Sequence, residues 1–95
     1  MLLVHLPLTR ITGGPGTESE ACLLQDTLWA HAGPQHALEH VRVRAARQGI
    51  DVVLFIRALT NADARSKASA LLAQVLRSGA ADGYSVAAAD LKKTA

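Results

Sequence analysis

Apolar and polar positions change period several times along this chain, and each change marks an element. From Leu2 to Leu8 the residues alternate, with Leu2, Val4, Leu6 and Leu8 on one side and Leu3, His5 and Pro7 on the other. A period of two predicts a strand, and Pro7, which has no amide to donate, predicts weaker pairing near its end. Thr12-Gly13-Gly14-Pro15-Gly16 reads as loop. The period then lengthens. Ala21, Leu24, Leu28 and Ala32 make a helical stripe, and Thr17-Glu18-Ser19-Glu20 has the form of a capping box, so a helix is expected from about Glu18 to Ala32. Gly33-Pro34 should end it, with the glycine taking a left-handed exit.

The next segment has two readings. As a strand, residues 38–45 place Glu39, Val41, Val43 and Ala45 on one side and Leu38, His40, Arg42 and Arg44 on the other. As a helix from Gln35 to Gln48, Leu38, Val41 and Ala45 would form the stripe and Gly49 the stop. The alternation of Val41-Arg42-Val43-Arg44 and its β-branched residues favour the strand. Ile50 to Arg57 is a nearly continuous apolar run, expected as the second strand of a hairpin and central enough to be buried on both faces. Thr60-Asn61-Ala62-Asp63 starts a second helix that should bury Ala64, Ala68, Leu71, Leu72, Val75 and Leu76 and stop at Gly79. Tyr84 to Ala88 suits a last short strand.

This order, β-α-β-β-α-β, resembles the ferredoxin-like α/β plait over about Leu2 to Ala88. The resemblance implies an α+β fold: a four-stranded antiparallel sheet with both helices on one face and the other face open. It also implies one domain over 1–89, with 90–95 as a solvated tail. On that plan Leu2, Val4, Leu6, Val41, Val43, Ile50, Val52, Leu54 and Ile56 meet the helices. Leu3, His5, His40, Arg42, Arg44, Val53, Phe55 and Arg57 share the open face.

With 95 residues, 49% of them hydrophobic and 19% charged, the composition is that of an ordered domain with one core. Its alanine and arginine usage is that of a small protein from a high-GC bacterial genome. A formal charge of +2 is too small to imply nucleic acid from the total alone. Cys22 is the one cysteine, which excludes an intrachain disulfide and fits a reducing, cytoplasmic setting. The start, Met1-Leu2-Leu3-Val4-His5-Leu6, has the character of neither a signal peptide nor a membrane span.

Candidate chemistry centres on the open face. Val53 and Phe55 at the middle of a sheet, ringed by His5, His40, Arg42, Arg44 and Arg57, make a surface for a second copy of the chain, for a protein partner, or for an anion held by arginines. A charged strand side that simply faces water is the plain alternative. The first strand, ending in Leu-Pro, also looks like that of RNA-recognition domains. Those domains stack bases on two or three rings of the third strand, and here Phe55 alone is aromatic, which argues against RNA or single-stranded DNA.

His36-Ala37-Leu38-Glu39-His40 matches the H-x-x-E-H zinc motif, which requires a helix; in a strand its histidines stand about 13 Å apart. Cys22, in the second turn of the first helix, reads as a small core residue with Glu18 and Glu20 opposing thiolate formation. The Gly13–Gly16 loop lacks the Lys-Ser/Thr of a phosphate loop. Trp29 would wall a pocket between helix and sheet if the chain resembled the small dimeric α/β-barrel proteins, some of which are cofactor-independent enzymes. The residues name no catalytic, cofactor-binding or metal-binding position. The expectation is a non-enzymatic accessory or regulatory module, dimeric or partner-docking through its sheet face.

Overall fold

A computed structural model describes residues 1–86 of the chain. Strands β1 (Leu2–His5) and β2 (Leu8–Arg10) are followed by helix α1 (Glu18–His31), a single 3-10 turn (Pro34–His36), the hairpin β3 (Leu38–Ala46) and β4 (Gly49–Ile56), helix α2 (Asn61–Arg77) and strand β5 (Tyr84–Val86). Among the described residues the fold is thus α+β: an antiparallel sheet of five strands and two helices. The expected continuation of β5 to Ala88 and the tail 90–95 lie outside the described residues. No helix among the described residues is long and apolar enough to cross a membrane.

The strand expected from Leu2 to Leu8 is two strands, so the sheet has one more than the four expected. Pro7 interrupts the ladder because its nitrogen carries no hydrogen. The break costs little else. His5 faces Val53 and Leu8 faces Ile50, three residues further along both strands, so the register runs through unshifted. Leu6 keeps its bond to the Val52 carbonyl at 2.8 Å.

Strand β4 lies in the middle, paired with β3 along one side and with β1 and β2 along the other; β2 in turn pairs with β5. Its even-numbered residues Ile50, Val52, Leu54 and Ile56 are buried, as are Val4, Leu6, Leu8, Val41 and Val43 on the neighbouring strands. These side chains form one core with Ala21, Leu24 and Leu28 of α1 and with Ala64, Ala68, Leu71, Leu72 and Val75 of α2. Fully burying one such leucine contributes about 1.5–3 kcal/mol, so this shared core holds the layers together. Leu2 and Leu76, also expected inside, are only partly buried and pack at its margin.

Both helix starts are capped as their sequences direct. Thr17 Oγ1 accepts from the Glu20 amide while Glu20 reaches back to the Thr17 amide, and Thr60 Oγ1 accepts from the Asp63 amide. The exit from α1 differs from expectation: Ala32 and Gly33 are extended, with Gly33 at φ −109° rather than left-handed. The left-handed residue comes later, at Ala37 (φ 50°, ψ 38°), where the chain turns out of the 3-10 segment into β3 and the Ala37 carbonyl accepts from the Arg57 amide at 2.9 Å. A Cβ in that region costs about 1–2 kcal/mol, and glycine's greater freedom when unfolded takes back about half. Ala37→Gly is therefore expected to raise the thermal unfolding midpoint slightly, by about 0.5 kcal/mol of stability. A fall in that midpoint would mean that the turn carries no such strain.

A bulge corrects the strand parity expected at the start of β3. Leu38 pairs with Ile56 and His40 with Phe55, so the register slips by one at Glu39. Leu38 consequently packs at the core margin instead of sharing the side of His40, and Glu39 turns outward to Arg57.

Candidate functional site

On the side of the sheet opposite the core, alternation arranges side chains in cross-strand rows. Leu3, Phe55 and His40 form one row, His5, Val53 and Arg42 the next, and Asp51 with Arg44 the third. Phe55 and Val53 are half-buried by their neighbours, while Leu3, His5, His40, Arg42 and Arg44 are exposed, Leu3 by 62%. The His40 ring tilts over Phe55 with centroids 5.1 Å apart. His5 Nε2 stands 3.4 Å from Asp51 Oδ1, with both side chains more than half exposed. Such a pair contributes little to stability. Arg42 and Arg44 have no ion-pair partner among the described residues. The face is thus an apolar strip over β1 and β4 with a basic border on β3.

Seven of the eight residues expected on this face come together there: Leu3, His5, His40, Arg42, Arg44, Val53 and Phe55. Arg57 sits apart, beyond the end of β4, where it donates to Glu39 Oε2 from Nε and Nη2 at 3.2 and 3.0 Å. That pair borders a hollow of about 440 Å³ with Pro34, Ala37 and Leu38. Asp51 joins the seven, and its parity with Val53 and Phe55 is plain in the sequence. It borders a second hollow, of about 470 Å³, formed where β1 breaks into β2 and lined also by Pro7, Thr9, Arg47 and Gln48. Trp29 is 44% exposed on the flank of α1 and borders neither hollow.

The H-x-x-E-H residues go three ways. His36 is buried in the 3-10 turn, its Nδ1 accepting from the Gly33 amide at 3.0 Å; Glu39 pairs with Arg57; His40 lies on the open face. Among the described residues, no three His, Cys, Asp or Glu side chains gather as metal ligands. Cys22 is exposed, not a core residue, because it lies about 100° around α1 from the buried Ala21.

No family model, curated protein or solved structure matches this chain.

A second polar cluster ties the ends of the sheet to α1. Glu20 Oε1 accepts from Arg10 Nη2 and from the Tyr84 hydroxyl, each at 2.7 Å, and from the Thr17 amide and hydroxyl. Arg10 also donates from Nε to the Pro15 carbonyl, and its guanidinium lies 4.9 Å from the Tyr84 ring centroid. With its donors so occupied, the cluster joins β2, β5 and α1 and offers little to a ligand. The Tyr84 hydrogen bond holds the Glu20 carboxyl below the ordinary carboxylate value, with Thr17 and Arg10 acting in the same direction against partial burial. Burial, and then Glu20 as acceptor and as charge, pushes the Tyr84 phenol up.

The signs give a two-sided pH dependence. Glu20, depressed when folded, stabilises above its unfolded value, and that contribution is lost as pH falls through the folded value. Tyr84, raised when folded, contributes fully below about pH 10, its unfolded value, and the contribution is lost as pH rises through the folded one. Thermal scans should show Glu20→Gln flattening the acid decline and Tyr84→Phe flattening the alkaline one. Curves for both variants parallel to wild type would dismiss the cluster as a titrating unit.

Proposed function

We propose that this chain is a non-enzymatic accessory module, one domain over 1–89 with the ferredoxin-like plan, that works as a homodimer stacked through the open face of its sheet. The unbroken register across Pro7 supports the plan. Counting β1 and β2 as one interrupted strand leaves four strands in the order β5, β1/β2, β4, β3, with a helix after the first strand and after the third.

The observation that carries the dimer is the strip of Leu3, Phe55 and Val53 on a sheet face that no described element covers. Two sheets stack about 10 Å apart, a spacing that side chains of this size fill. A stacked copy would remove the strip from water, while the longer Arg42 and Arg44 side chains reach the rim and keep their charged ends solvated. Each face also brings Asp51, a carboxylate of the sign those arginines need.

Salt distinguishes this reading from its competitors. An apolar contact with a mostly basic rim should hold or tighten as ionic strength rises from about 0.05 to 0.5 M, because screening relieves the rim. Sedimentation equilibrium at the two salt concentrations measures this directly. Self-association that disappears at high salt would place the binding energy in charge pairs and defeat the apolar stack. Retention on an acidic protein or on RNA only at low salt, with the free chain monomeric, would favour an oppositely charged partner.

A further inference from the structure

Strand β3 has nine residues and hydrogen-bonds along one edge, to β4; no described strand pairs with the other edge. We infer that this free edge is a strand-addition site for an extended peptide segment of a partner protein, one with Asp or Glu at alternate positions and apolar residues between them. The site shares His40, Arg42 and Arg44 with the border of the stacking face, but the backbone groups along the edge of β3 stay open in a face-to-face stack.

Three features define the occupant. Backbone amides and carbonyls along a free edge are what an added strand satisfies. An added strand also alternates its side chains. Those on the open side would lie next to His40, Arg42 and Arg44, which have no ion-pair partner among the described residues, so carboxylates fit there. Those on the other side would lie beside α1, which packs along β3. Glu20 turns toward β2 and β5, where it meets Arg10 and Tyr84. Trp29 is nine residues on, about two and a half turns, and therefore lies on the flank of α1 opposite Glu20, away from β2 and β5. It is 44% exposed, enough to receive an apolar side chain.

A second copy does not suit this edge. Two β3 strands related by a two-fold axis would run antiparallel and set Arg42, Arg44 and His40 against one another at about 5 Å, like charges directly opposed. The same basic row that excludes self-pairing selects an acidic segment.

The test uses a fluorescein-labelled peptide of alternating Glu and Val, an isomer with the glutamates in one block, and two N-methylated versions of the alternating peptide, each blocking one set of alternate amides. Fluorescence anisotropy should show the alternating peptide binding. One N-methylated version should lose at least about tenfold in affinity while the other keeps it, because only one set of amides faces β3. Arg42→Glu combined with Arg44→Glu should cost a similar factor of about ten or more. Phe55→Ala, which trims the stacking strip, should leave peptide affinity within about twofold, so failure of the dimer and failure of the edge site are read separately. The inference is overturned if the alternating peptide does not bind, if the block isomer or both N-methylated versions bind as well as it does, or if single-stranded RNA displaces it at lower concentration. The N-methylated peptides leave the protein unaltered, so their comparison decides the matter even where the arginine variant misfolds.

Discussion

Gly49→Ala should destabilise the chain by roughly 2–6 kcal/mol, the sum of a backbone and a steric cost of about 1–3 kcal/mol each. Gly49 opens β4 at φ 153°, a conformation that an L side chain rarely adopts. A Cβ there would run into the carbonyl oxygen of Leu8 on the adjacent strand and come within 3.1 Å of the Arg10 amide. Neither obstacle is a flexible side chain that could move aside. The same residue anchors the loop before α1, since its carbonyl accepts from the Gly16 amide at 3.1 Å. Strand pairing, the hairpin turn and the approach to α1 all meet at this point. Against a total stability of about 5–15 kcal/mol for a domain of this kind, the loss would leave a large unfolded fraction. Gly14→Ala is the control: it too has positive φ, 94°, but opens onto free space, so only the backbone cost applies, about 1–3 kcal/mol. Urea unfolding of the two variants should separate them clearly. Equal and small losses would show that the close approach at Gly49 is relieved by a shift of the strands.

Much of this fold is legible in the sequence because parity and caps are local signals. Thr17 with Glu20, and Thr60 with Asp63, mark where the helices begin. The β4 run Ile50 to Ile56 fixes which residues point inward, and Leu8 and Ala45, both opposite Ile50, follow from it by register. What is not legible depends on long-range fit. Nothing in Leu38-Glu39-His40 announces a bulge; the slip arises because Leu38 gains the core margin and Glu39 gains Arg57, eighteen residues away. The Glu20 cluster likewise joins residues as far apart as Arg10 and Tyr84, which no spacing rule brings together. The exposure of Cys22 is a question of helix phase: Ala21 and Leu24 define the buried stripe, and Cys22 falls outside it. On the open face, seven residues are recoverable from alternation alone. Asp51 is equally recoverable by the same parity, but a lone carboxylate inside an apolar run stands out less than Val53 and Phe55.

Phe55→Glu should abolish self-association. The side chain lies at the centre of the open face and is only half-buried in the single chain, so a glutamate can reach water there and the fold should survive. In a stacked pair it would have to enter the contact, and burying a carboxylate without a partner costs about 3–5 kcal/mol, a factor of a hundred or more in dissociation constant. His5, His40 and the arginines would offset some of this at the rim, and Asp51 would add to it. Circular dichroism on the variant should show helix and strand content unchanged. Light scattering coupled to gel filtration, run over a concentration series on wild type and on Phe55→Glu, bears most directly on the sheet face as an assembly surface. The result expected is a wild-type dimer and a folded, monomeric variant. A wild type that stays monomeric at the highest concentration, or a dimer that the substitution leaves intact, would contradict it.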